Sequence, residues 1–241
     1  MLEIQLAKVT EGIEEVLTLI LTNDDGIDAP GILALQKAVA GKGVVVAPRD
    51  HLSGCGHQVT TASPIHVQQR SPGHFAIAGT PADCVRVAIG HLFENVKLVL
   101  SGINEGGNLG ADVYISGTVA AVREAALHGI PAIAISHYRA KRKEIDWEYA
   151  AYLTTLVLDK LLNLPIEPGT FWNVNLPHLD SNAPEPAIVF CPLSSKPLPI
   201  GFRVEGEHLI YAGKYELRDR SPGTDVDVCF SGSIAVTKIK A

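Results

Sequence analysis

The 241-residue chain is short of charge, at 19% Asp, Glu, Lys and Arg, and has no long run of basic residues. With a formal net charge of −6, it excludes nucleic acid or an anionic membrane surface as a general partner. No apolar run approaches the ~20 residues that cross a bilayer. The opening segment, MLEIQLAKVTEGIEEV, is acidic and amphipathic rather than basic and apolar, and does not read as a signal peptide. The four cysteines, Cys55, Cys84, Cys191 and Cys229, stand far apart without a CxxC pair. That spacing excludes a zinc ribbon and a dense disulfide framework. GxxxxGK[ST], a G-x-G-x-x-G turn after a strand and the G-x-S-x-G elbow are all missing. A P-loop, a dinucleotide fingerprint and serine-hydrolase chemistry therefore lack support. Together these absences predict a soluble protein of a reducing cytoplasm.

What the chain does have is alternation, within a hydrophobic content of 46%. VLTLIL (16–21), VVVAP (44–48), VKLVLSG (96–102) and IPAIAIS (130–136) are short apolar runs of the kind that form buried strands. Between them lie helical patterns: DAPGILALQKAVAGKG, with Asp28 able to cap and Pro30 in the first turn; the helix after Thr80-Pro81; TVAAVREAALHG (118–129); and the long amphipathic segment 146–164. The order predicts an α/β fold, a parallel sheet with helices on both faces, over residues 16–164. After residue 165, Pro-rich stretches separate the β-like runs FWNVNL, AIVFC, HLIYAG and SIAVTKIK, without helical periodicity. A smaller β-rich region, 165–241, is expected to pack beside the main sheet or reach another subunit. Residues 1–15 form an N-terminal extension.

Polar residues collect where strands end. The first strand delivers Asn23-Asp24-Asp25, the second runs into APRDHLSGCG with Ser53, and the strand at 96 delivers Ser101-Gly102-Ile103-Asn104. In an open parallel sheet, ligands bind at the carboxyl ends of strands. Asp24, Asp25, Ser53 and Asn104 would then share one rim. All four offer oxygen, which suits a hard divalent ion such as Mg²⁺ or Mn²⁺. An Asp-Asp pair at a strand exit equally serves as a turn or a helix cap. Ser116-Gly117-Thr118, after a Gly-rich loop and directly before a helix, reads either as an anion site at a helix N-terminus or as a plain cap. His51 and His57 flank Ser53 as possible proton shuttles or as ordinary loop histidines. Arg123 and Glu124 read as a solvated helix face.

NDDGIDAPGI, APRDHLSG, GTPADCV, SGINEGGNLG, SGTVAAV, NVNLP and PGTD follow one another in this order and together closely resemble the SurE family of survival-protein nucleotidases. The resemblance covers roughly residues 16–238. It implies a Rossmann-like, doubly wound, mostly parallel sheet with a β-rich C-terminal part used in dimer or tetramer contacts, and here a homodimer is expected. It implies a divalent-metal-dependent phosphatase acting on nucleoside 5′- and 3′-monophosphates and on short polyphosphate. By motif, Asp24, Asp25, Ser53 and Asn104 would hold one metal ion, and Ser116, Gly117 and Thr118 would lie beside the phosphate with Asn104. The expected chemistry is metal-assisted hydrolysis with Asp24 or Asp25 as general base. A non-catalytic nucleotide-binding regulator and a metal-dependent glycosyltransferase are the alternative classes.

Overall fold

The computed structural model describes residues 18–140, 143–165, 167–179 and 183–241. The N-terminal extension assigned to residues 1–15 lies outside the described residues. The strands, in chain order, are β1 (Thr18–Thr22), β2 (Val44–Pro48), β3 (Val67–Ser71), β4 (His74–Ile77), β5 (Val96–Glu105), β6 (Ala132–His137), β7 (Thr170–Leu176), β8 (Ile188–Phe190), β9 (Phe202–Glu205), β10 (His208–Tyr211) and β11 (Ile234–Lys240). The helices are α1 (Pro30–Ala38), α2 (Pro81–Val87), α3 (Gly117–Leu127), α4 (Trp147–Leu161) and α5 (Asp225–Phe230). Nine strands form one sheet in the order β3-β4-β2-β1-β5-β6-β7-β11-β8, and β9 and β10 pair apart as a hairpin. From β4 to β7 every neighbouring pair is parallel; β3 and β11 run antiparallel to β4 and β7.

The continuous apolar runs have a simple cause: both faces of the sheet are covered. Leu19, Leu21, Val45, Leu100, Ile133 and Ile135 pack on one side with Ile32 and Leu35 of α1 and Leu153 and Val157 of α4. The alternate residues Ile20, Val46, Val99, Ala132 and Ala134 pack on the other with Cys84 and Val85 of α2 and Val119 and Val122 of α3. Period-two alternation is thus present but apolar on both sides. Gly31 lets α1 sit directly on β5, since a Cβ there would lie 1.9 Å from the Ile103 carbonyl oxygen. Among the described residues no helix is long and apolar enough to cross a membrane.

Several expectations are corrected. The strands after residue 165 do not build beside the main sheet: β7, β11 and β8 extend it, and only β9-β10 stands apart. Strand pairing is non-local, so period alone could not assign these runs to an existing edge. The same region contains α5, whose six residues are too few to show helical periodicity. Asp28 does not cap α1. The cap position is Ala29, without a side-chain bond, and the Asp28 carboxylate pairs with Arg70 of β3. Thr80 does cap α2, in a reciprocal box with Asp83.

Candidate active site

The chain places β1 centrally, moves out through β2 to β4, and then returns to lay β5 on the other side of β1. The reversal makes β1/β5 the topological switch point, where carboxyl ends open a crevice. At the end of β1, the Asn23 side-chain amide donates to the Gly26 carbonyl (2.8 Å), and the Gly26 N–H donates back to Asn23 Oδ1 (3.2 Å). Gly26 takes φ +105°, which closes the turn. The closed turn splits the two acids. Asp24 reaches α3, where its carboxylate accepts the Thr118 hydroxyl and the Thr118 N–H. Asp25 reaches β5, accepting the Glu105 N–H at 3.2 Å.

Both carboxylates are charged against resistance. Asp24 is 4% exposed, and burial, reinforced by the charge of Asp25, pushes its carboxyl up to about 6 despite the Thr118 bonds. Burial likewise raises Asp25, while the Glu105 N–H, His51 and a hydrogen bond with Ser53 pull it back. His51 Nδ1 lies 3.5 Å from Asp25 Oδ1. Asn104 ends β5 beyond an irregularity in its pairing with β6, between Ser101 and Asn104. Its Nδ2 donates to the Gly106 carbonyl (2.8 Å), leaving its amide oxygen as acceptor. Two adjacent carboxylates that repel each other, with the Ser53 hydroxyl on Asp25 and an amide oxygen on the same rim, offer only oxygen, the donor type a hard cation takes. Among the described residues no three His, Cys, Asp or Glu side chains gather into one metal-holding group.

Within the SGT segment the cap reading holds for Ser116. Ser116 is the cap of α3: its Oγ accepts the Val119 N–H at 3.1 Å. Thr118 serves Asp24, and Gly117 makes the approach possible, because a Cβ there would stand 2.8 Å from Asp24 Cβ. The loop carrying Ser53 is held by the Leu52 N–H on the Asp24 carbonyl (2.8 Å) and the Gly56 N–H on the Ile115 carbonyl (3.1 Å). Cys55 lies against this site; burial raises its thiol first, and the charge of Asp24 adds to that.

The expected solvated face of Arg123 and Glu124 is wrong. Glu124 is 4% exposed and accepts from His57 Nε2 (2.8 Å), Arg86 Nη1 (3.1 Å) and His128 Nε2 (3.1 Å). Burial raises its carboxyl, but these three bonds overcome that and hold it below the usual range. Arg123 is half-buried, donating to the Val113 carbonyl at 3.0 Å and lying over the Phe171 ring. His57 is therefore a tether of the Ser53 loop rather than a free loop histidine.

Sequence reasoning also missed what holds the Gly-rich loop. The Asn108 N–H donates to Asn175 Oδ1 (2.8 Å), and both Asn173 and Asn175 donate to the Asn108 carbonyl (2.8 and 3.0 Å). Asp225 accepts the Gly110 N–H (2.7 Å) and the Ser194 N–H (2.8 Å). Arg218, 5% exposed, pairs with Asp112 (2.7 Å) and donates to the Leu109 carbonyl (2.8 Å). The NVNLP and PGTD motifs were visible signals, but nothing local says that their polar groups reach back 65 to 115 residues.

An open, mostly parallel sheet with paired acids at its switch point and a helix N-terminus beside them defines a doubly wound α/β protein whose strand ends open a crevice beside those acids. The chain belongs to the SurE family: a family model described as Survival protein SurE matches residues 19–196. A protein of Nostoc sp. (strain PCC 7120), whose name proposes a 5′-nucleotidase, is 61% identical over 225 residues, 93% of this chain and 100% of its own. The protein named 5′-nucleotidase SurE of Paramagnetospirillum magneticum is 37% identical over 92% of this chain and 89% of its own. The crystal structure of the SurE protein from Aquifex aeolicus superposes with a TM-score of 0.82 at 34% identity, covering 92% of this chain and 93% of that one.

Proposed function

We propose that this chain is a 5′-nucleotidase, a divalent-metal-dependent phosphomonoesterase that hydrolyses nucleoside 5′- and 3′-monophosphates to nucleoside and phosphate, and short polyphosphate as well. The names of its relatives support the nucleotidase class. The observation that carries the chemistry is the pair of raised carboxylates, Asp24 and Asp25, at the switch point beside the α3 N-terminus. Asp24, Asp25, Ser53 and Asn104 would hold one Mg²⁺ or Mn²⁺ ion. Such an ion supplies Lewis-acid polarisation of a phosphoryl oxygen and activation of water.

The chain's own residues do the rest. Asp24, buried and doubly bonded by Thr118, is the fixed member of the pair. Asp25 is the more open one, and it takes the proton from attacking water as general base. Asn104 and the Gly117 N–H hold phosphate oxygens as charge develops on them, the Thr118 and Val119 N–H groups being committed to Asp24 and Ser116. Ser116 contributes by ordering that helix start, its hydroxyl being committed to the cap. We further read the β9-β10 hairpin as homodimer contact surface, because Phe202, Val204, Leu209 and Tyr211 are all exposed on it.

The direct test is phosphate release from AMP, GMP and their 3′ isomers, with EDTA, Mg²⁺ and Mn²⁺ in parallel. Turnover abolished by EDTA and restored by either ion is expected. Nucleotide binding without release under any metal would move the chain to the regulator class.

A further inference from the structure

Ser53, which hydrogen-bonds Asp25, stands exposed on the loop 49–66, and that loop contains no helix or strand. Such a loop has no ladder of its own to fix a side chain. Its fastenings can be named. The Leu52 N–H donates to the Asp24 carbonyl and the Gly56 N–H to the Ile115 carbonyl. Further on, the Thr60 N–H and hydroxyl both donate to the Asp83 carboxylate (2.8 and 2.7 Å), and the Thr80 hydroxyl donates to the Gln58 carbonyl (2.6 Å). Between these points His57 reaches out of the loop to α3, its Nε2 donating to Glu124 Oε2 at 2.8 Å.

Glu124 divides its two oxygens. Oε2 takes His57, whereas Oε1 takes Arg86 of α2 and His128 one turn along α3, both at 3.1 Å. The carboxylate is thus held in place by two helices and offers its remaining oxygen to the loop. Side-chain exposures of 6% for Glu124 and 22% for His57 shield that bond from competing water. Thr118, which seats Asp24, lies six residues before Glu124 on the same helix, about 9 Å along its axis. One rigid rod therefore grips the Asp24 turn with one residue and the Ser53 loop with another.

We propose that Glu124 is a positioning residue: acting through His57, it sets Ser53 against the Asp24-Asp25 turn without itself entering the site. The assignment rests on the nucleotidase reading for what Ser53 would hold, a divalent ion. An outer partner of this kind is worth about tenfold in metal affinity.

Two substitutions separate the tether from the fold. His57→Ala leaves Glu124 to Arg86 and His128 and removes the reach from the loop. His57→Gln keeps an N–H donor on a side chain of similar reach. The test measures amide exchange across Leu52 to Gly56 and calorimetric Mn²⁺ affinity on the full chain, with urea unfolding alongside. In His57→Ala, loop exchange is expected to quicken about tenfold, the worth of one hydrogen bond to a charged group. Mn²⁺ should bind about tenfold more weakly, and His57→Gln should recover most of both losses. Loop exchange and Mn²⁺ affinity within twofold of wild type in His57→Ala overturn the proposal. So do losses that merely track the urea midpoint and that His57→Gln fails to rescue. If the wild type binds no Mn²⁺ while loop exchange still quickens in His57→Ala and recovers in His57→Gln, the metal reading falls and the placing of Ser53 by Glu124 stands.

Discussion

Gly117→Ala is the sharpest perturbation of the site, because the structure states what the added methyl meets. It would lie 2.8 Å from Asp24 Cβ and 3.0 Å from both Asp24 Oδ2 and Cys55 Sγ. Relief requires these atoms to part by about half an ångström. Cys55 can rotate away, but Asp24 Cβ is fixed to a turn closed by Asn23 and Gly26. The strain therefore falls on the α3 N-terminus, which must retreat and stretch the bonds from Thr118 to Asp24. Overpacking of this size costs about 2 kcal/mol. A full ångström of displacement of a reacting group costs turnover about 100-fold, so half of that should cost roughly tenfold. Urea unfolding reads the first quantity, and phosphate release from AMP with Mg²⁺ or Mn²⁺ reads the second. Adding Cys55→Ala should recover little of either, since it removes only the yielding contact. An alanine variant with an unchanged urea midpoint and turnover within threefold of wild type would refute the idea that Gly117 sets the seat of Asp24.

Other outcomes are expected at separate places. Asp25→Asn should remove most turnover while shifting the urea midpoint little, as its side chain is partly open at the rim; an active, metal-replete Asn variant would argue against Asp25 as base. Glu124→Ala should destabilise by roughly 1–3 kcal/mol, because it leaves half-buried His57 without its acceptor while the more exposed Arg86 and His128 turn to water, again read by urea unfolding. His137 has its pKa lowered to about 4 by burial, against an ordinary value of 6.5. Between those values the unfolded chain takes a proton that the folded chain refuses, so stability is full above pH 6.5 and falls as pH drops toward 4. The loss approaches roughly 3 kcal/mol, and His137→Asn should flatten that dependence in urea titrations at pH 7 and pH 5. Asp225→Asn keeps one acceptor for the Gly110 and Ser194 N–H groups but loses the other, at a cost of about 1–3 kcal/mol, measurable in the same way.

Strands β1, β2, β5 and β6 were legible because each is an apolar run bounded by turn residues and covered on both faces, whereas β3, the polar and exposed VQQRS at the sheet edge, carries no such signal and was missed. That Asp24, Asp25 and Asn104 stand at strand ends on one rim was legible for a related reason: strand ends in a parallel sheet share a rim, so position along each run is enough. The direction each acid takes was not. Asn23 and Gly26 decide that through side-chain bonds that no periodicity records. Glu124 was misread because an acid beside an arginine on an Ala-rich helix looks solvated, and its three partners come from a loop, from α2 and from one turn further along α3. The place of β7, β8 and β11 in the main sheet was hidden as well, since edge pairing is chosen by what is already folded rather than by the strand itself.

The latch on the Gly-rich loop has a consequence for synthesis. Residues 18–137 emerge first and contain every element that carries Asp24, Asp25, Ser53, Asn104 and Thr118. Yet the loop beside them is fastened by Asn173, Asn175, Arg218 and Asp225, closing intervals of 65 to 115 residues. A ribosome-bound chain can therefore assemble the α/β layers domain-first while the segment from Gly106 to Gly110 still lacks its restraints. Competence would arrive late and abruptly, with the emergence of the PGTD turn, so that prematurely terminated chains would be compact and inert.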